Sequence, residues 1–161
     1  DLKVNDRMLR GILISAARSF LFNLVVGRRV ELGNWDTPLE GEVFGFAANR
    51  SLVLPTNLRG DENARVQAGE LELTAPLWGA GELLSVGQVR ALEQEIVVTE
   101  SELASGLEKL GLRQERRVMR LFPQNPTIHW EDDGRELVLI FDLPKGTYAT
   151  TVLRELLDVD E

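Results

Sequence analysis

The 161-residue chain contains no cysteine, a single histidine and a single tyrosine. Without cysteine there is no disulfide, no thiolate zinc site and no cysteine nucleophile, as expected in a reducing, cytoplasmic setting. One histidine, His129 in the segment TIHWE, gives neither metal-ligand spacing nor a paired proton shuttle. No uninterrupted apolar run approaches the roughly 20 residues of a membrane span. A secretory signal pattern is also missing, so no membrane partner is expected. The chain opens on Asp1 rather than methionine, as expected of a processed chain or one cut from something longer. Positive charge is scarce too. A net charge of −8 excludes a protein that coats nucleic acid indiscriminately.

What is present is the balance of a globular protein, with 43% apolar and 27% charged residues. The cations are unevenly placed. Residues 1–30 carry six Lys/Arg against two Asp/Glu, and residues 113–130 carry four against one. Residues 31–112 carry five against fourteen, and 131–161 three against nine. Two basic islands in an acidic chain are either one positive face or two ordinary solvated faces.

Periodicity gives a coarse map. Leu9, Leu13, Ala16, Ala17, Phe20, Leu21 and Leu24 recur at helical spacing, which predicts a long, well-buried helix over about 8–30 that ends at Gly33-Asn34. EGEVFGFAA and SLVLP, around Asn49-Arg50, predict strand, turn and strand. Residues 60–68 read as a short helix or turn, and ELELTAPL as a strand. Helices are expected at about 87–98, 100–110 and 113–121, the last ended by Phe122–Pro126. TIHWE and ELVLIFDLP form a hairpin across Asp132-Asp133-Gly134, followed by a helix over about 147–157. The class is α+β. The boundary at Phe122–Pro126 separates 1–121, a mixed helical and β lobe, from 122–161, a hairpin and helix too small to bury a core unaided.

Catalytic signals are thin. Glu131, Asp132 and Asp133 sit where turn chemistry explains them. PLWGAGE lacks the Gly-Lys-Ser/Thr ending of a phosphate loop. No metal site and no cofactor are expected. Tyr148, in LPKGTYATTVLREL, falls at a strand-to-helix junction, where folds display a side chain to a ligand; the alternative is a core tyrosine. Gly146 allows a sharp turn or close backbone approach. Lys145 and Arg154 can serve a phosphate or hold a carboxylate.

The stretches ILISAARSFLFNLVVGRRV, LELTAPLWGAGE, ERRVMRLFPQ and LPKGTYATTVLREL occur here in one order. Together they resemble the C-terminal half of the TruD family of tRNA pseudouridine synthases, which act on uridine 13. The resemblance implies that 1–121 is most of the inserted α/β domain. It implies that 122–161 completes the antiparallel sheet of the catalytic domain. It also implies tRNA and the N-terminal half of the same enzyme as partners, and a monomer.

The family's nucleophilic aspartate belongs to a Gly-Gln-Lys-Asp-Lys-type motif, which is absent here; Asp142 reads as a strand-end residue. No catalytic residue is therefore expected in this chain, and activity is expected only of a complete protein. The resemblance makes Tyr148 the pocket aromatic, held by Lys145, Gly146 and Thr147. Arg116, Arg117 and Arg120 become candidate phosphate contacts on a helix, with Arg7, Arg10 and Arg154 behind them. Arg18, inside an apolar helix, either pairs internally or faces RNA. The other reading is a non-catalytic RNA- or protein-binding α+β module.

Overall fold

The computed structural model describes residues 7–46, 49, 51–144 and 147–156. Two compact units divide the chain, Asp1–Arg120 and Leu121–Glu161. The first unit opens with helix α1 (Arg7–Glu31) and continues through strands β1 (Phe44–Phe46) and β2 (Leu52–Val53). Helix α2 (Glu62–Gln67), strand β3 (Leu71–Leu77), helices α3 (Gly87–Thr99) and α4 (Ser101–Lys109) and strand β4 (Glu115–Val118) complete it. The sheet order is β2-β1-β3-β4, antiparallel throughout. The second unit holds strands β5 (Gln124–Glu131) and β6 (Glu136–Asp142), an antiparallel hairpin, and helix α5 (Ala149–Arg154). The molecule is α+β, as its sequence implies.

β3 is the centre of the first unit. Its alternation places Leu71, Leu73 and Ala75 on one face, all fully buried. Val66 of α2 packs at the Leu71–Leu73 end, with Phe44 of β1. Phe22 and Val25 of α1 and Ile96 of α3 pack at the Ala75–Leu77 end. A third cluster joins Leu21 of α1 to Trp78, Leu83, Ala104 and Leu107. Gly41 fits this packing because it has no Cβ. A Cβ there would lie 1.8 Å from the Val86 carbonyl oxygen, and its φ of +88° suits glycine alone.

Two expectations fail. Residues 113–121 form no helix, because β4 pairs with β3 in the register Thr74↔Val118, Ala75↔Arg117 and Pro76↔Arg116. Sheet pairing overrides the helix preference of a Glu- and Arg-rich segment nine residues long. Nor is α1 buried along its length: Met8, Leu9, Ile12, Leu13 and Phe20 stand exposed, and burial is confined to Leu21, Phe22, Val25 and Arg29. By length and hydropathy α1 could cross a membrane. Its second half contributes Leu21, Phe22 and Val25 to the core clusters.

Carboxylates buried in this unit differ in what holds them. Glu42 lies inside with Arg29, whose Nη1 is 2.6 Å from its Oε2. Burial pushes the Glu42 carboxyl above its ordinary value and outweighs the Arg29 attraction. Glu62 instead accepts the backbone N–H groups of Arg59 at 2.5 Å and Gly60 at 2.9 Å, which hold its carboxyl below the ordinary 4.5.

The signs are opposite. A raised folded pKa at Glu42 favours the folded state below the unfolded pKa, and that advantage is lost as pH rises through the folded value. A depressed pKa at Glu62 contributes stability above about 4.5 that is lost as pH falls through the folded value. Glu62→Gln should therefore lower the urea midpoint at pH 7, and the gap from the parent should close as pH falls through the depressed folded-state pKa of Glu62. A gap that stays constant with pH would show that the carboxylate charge does not hold this turn.

Candidate substrate-binding surface

Tyr148 is the N-cap residue of α5, with extended backbone at φ −122° and ψ 131°. The Thr147 hydroxyl donates to the Pro144 carbonyl at 2.6 Å, and the Thr147 N–H donates to the same oxygen at 3.2 Å. On the far side the Thr151 N–H bonds the Tyr148 carbonyl at 3.1 Å. The backbone is thus held on both sides of the residue while the side chain is 74% exposed. Among the described residues Tyr148 belongs to no core cluster. Lys145 and Gly146 lie outside the described residues. Arg154 ends α5 and is exposed.

The hairpin before it carries apolar side chains on both faces. Ile128 opposes Leu139 and Trp130 opposes Leu137 on one face, and Thr127 opposes Ile140 and His129 opposes Val138 on the other. Ile128, Trp130 and Ile140 are more than half exposed. Asp142 ends β6 and accepts the Asn125 side-chain N–H at 2.9 Å, the setting of a strand-end residue. His129 Nε2 lies 3.1 Å from Glu131 in the exposed hairpin, and the Asp132-Asp133-Gly134 turn joins the strands.

The arginines separate into two groups. Arg116 lies inside: its side chain is 2% exposed and bonds both Glu93 oxygens, at 2.7 and 3.3 Å, and Thr74 Oγ1 and O at 2.7 and 2.6 Å. It sits opposite Pro76, on the face of β3 that carries Glu72 and Thr74. Arg120 bonds Glu72 at 2.7 Å. Arg117, one residue out of phase with Arg116, stacks its guanidinium 3.8 Å from the Phe22 ring centre. These residues therefore form no cationic helix surface; the strand directs Arg116 inward because Glu93 is buried there. Arg18 also points inward, donating to the carbonyls of Leu77 at 2.7 Å and Arg113 at 2.9 Å, with Glu115 at 3.4 Å.

Arg7 and Arg10 remain at the exposed start of α1. Arg113 is exposed as well, a cation the sequence contained within its second basic island but did not distinguish from its neighbours. A cavity of about 160 Å³ is lined by Phe46, Leu52, Val53, Asn57, Arg59 and Arg65. Its Arg65 is already bound to Glu70 at 2.6 Å.

Residues 2–156 match the family described as tRNA pseudouridine synthase D (TruD). A tRNA pseudouridine synthase D from Pseudoalteromonas atlantica is 40% identical over 157 residues, covering 98% of this chain and 44% of the relative. One from Xanthomonas campestris pv. campestris is 45% identical over 157 residues, covering 96% and 42%. The chain thus spans less than half the length of the curated relatives it matches. The crystal structure of a Methanosarcina mazei protein assigned as tRNA pseudouridine synthase D superimposes with a TM-score of 0.65 at 27% identity, over 89% of this chain and 37% of that one. The chain belongs to the TruD family of tRNA pseudouridine synthases.

Proposed function

We propose that this chain is the C-terminal portion of a tRNA pseudouridine synthase that isomerises uridine 13, and that it supplies one wall of the uridine pocket. The observation that carries this reading is Tyr148, an aromatic ring held at a strand-helix junction and left open. The reaction breaks the bond between uracil N1 and ribose C1′, turns the base, and joins C5 to C1′. The C5 proton leaves and N1 gains one, so no redox cofactor is required. The base must first leave the RNA stack, which costs a few kcal/mol. An exposed ring at the start of α5 offers it a replacement stacking partner, contributing about 1–3 kcal/mol. The nucleophilic aspartate is contributed by the part of the enzyme outside this chain. In this reading residues 1–121 are most of the inserted domain. Residues 122–161 complete the catalytic sheet, which would cover the apolar faces of β5 and β6.

RNA is gripped through phosphate and shape, not base reading, in a structured target. Arg7, Arg10 and Arg113 are exposed cations suited to that task. Arg116, Arg120 and Arg18 hold protein groups instead. In the complete protein, Arg7→Ala with Arg10→Ala should weaken tRNA binding. The slope of log affinity against log salt should flatten by about one unit for each phosphate no longer neutralised. An unchanged slope would place this end of α1 away from the RNA. The function itself is tested by incubating unmodified tRNA with the complete protein and with this 161-residue chain, then mapping pseudouridine. The complete protein should modify uridine 13 and the chain alone should not; modification by the pure chain would remove the assignment of the nucleophile.

A further inference from the structure

α1 is apolar on two opposite faces. Ile14, Ala17, Leu21, Phe22 and Val25 form the inner face and join the core clusters. Leu9, Ile12, Leu13, Ala16 and Phe20 recur at helical spacing on the other face, and all five are exposed. The four large side chains among them are 46–54% exposed. A single exposed leucine is ordinary, but five apolar residues in one stripe over three turns mark a contact surface.

We infer that this outer stripe of α1 is a docking surface for the portion of the longer protein that lies outside this chain. The inference rests on the reading that the chain is part of a longer synthase. The two relatives described above are covered over only 42–44% of their length, so more than half of such a protein is available to cover the stripe. A helix lying on a bilayer needs a charged face opposite its apolar one. Opposite this stripe lies the protein core, with Leu21, Phe22 and Val25 buried. The geometry therefore favours an apolar protein surface, which would clamp α1 between two hydrophobic layers. That accounts for a sequence whose apolar residues run around the helix although the structure buries one side.

The absence of cysteine in this chain makes the test direct. Leu13→Cys and Phe20→Cys are made singly in the 161-residue chain and in the complete protein, with any native cysteines of the latter changed to serine. Ser101→Cys, at the exposed start of α4, is the control. In the 161-residue chain, both stripe cysteines should react with a maleimide about as fast as the control. In the complete protein they should react about tenfold more slowly or less, while the control is unchanged.

Equal reactivity in the two proteins overturns the inference. Protection in the short chain that fades on dilution assigns the stripe to a second copy. Protection there at every dilution assigns it to the chain's own second unit. Protection that appears only with anionic phospholipid vesicles assigns it to a membrane. Each of these three outcomes contradicts the inference. Pseudouridine formation by the parent complete protein is measured in parallel. Loss of that activity reading with protection intact leaves the docking surface standing, and activity with fast labelling removes the docking surface alone.

Discussion

Arg116→Met is expected to destabilise the first unit by about 3–5 kcal/mol, a large fraction of a domain's folding free energy. The physical cause is not the removal of an attraction but the charge left behind. Glu93 has no side-chain exposure, and its remaining partner is the Ser85 hydroxyl at 2.5 Å. Thr74 also loses two bonds, one to its hydroxyl and one to its carbonyl. A buried carboxylate with one donor is left without the charge that compensated its burial. Glu93→Leu added to Arg116→Met should restore a large part of the loss, because an apolar pair tolerates burial where a lone charge does not. Urea unfolding of the two variants and the parent decides the matter. Failure of the double variant to recover would mean the loss came from Thr74 and the strand, not from the orphaned charge. A phosphate-binding Arg116 would give the contrary result: parental stability, with a changed salt slope for tRNA.

Tyr148 should behave in the opposite manner, silent in folding and prominent in catalysis. Its side chain is largely exposed, so Tyr148→Ala should leave the folding free energy within about 0.5 kcal/mol of the parent. In the complete protein the same change removes the stacking surface for the extruded uracil. The expected loss is about 1–3 kcal/mol of transition-state stabilisation, roughly ten- to a hundredfold in rate. Tyr148→Phe keeps the ring and should be nearly silent. Single-turnover kinetics on unmodified tRNA, with binding measured separately, distinguish the outcomes. The loss should fall on the chemical step, since phosphate contacts elsewhere carry most of the affinity. Inactivation by Tyr148→Phe with the fold intact would assign the function to the hydroxyl and refute stacking.

Much of the architecture was legible in the sequence, for reasons that can be named. Leu71, Leu73 and Ala75 alternate, and an alternating run bounded by glycines reads as a strand. The spacing of α1, α3 and α4 is helical, and Asp132-Asp133-Gly134 gives the β5–β6 turn. What periodicity could not show was the other half of the alternation. Glu72 and Thr74 occupy polar positions of β3, yet both are buried because Arg120 and Arg116 reach them. Those partners lie 48 and 42 residues away, and a local pattern cannot pair them. The same long-range pairing turned residues 115–118 into a strand, so three arginines that look like one surface became an internal ion pair, a strand-edge ion pair and a ring stack. Arg18 follows the same rule: its carbonyl partners come from Leu77 and Arg113. The place of Tyr148 at the start of a helix was easier to read, because a strand-to-helix junction depends only on local order.

Photocrosslinking tests most directly whether this chain forms a wall of the uridine pocket. The complete protein is irradiated with tRNA carrying 4-thiouridine at position 13, and the attached peptide is identified by mass spectrometry. Attachment within residues 147–156, at Tyr148, is the expected result. Crosslinks confined to other segments, with none in 147–156, would contradict it.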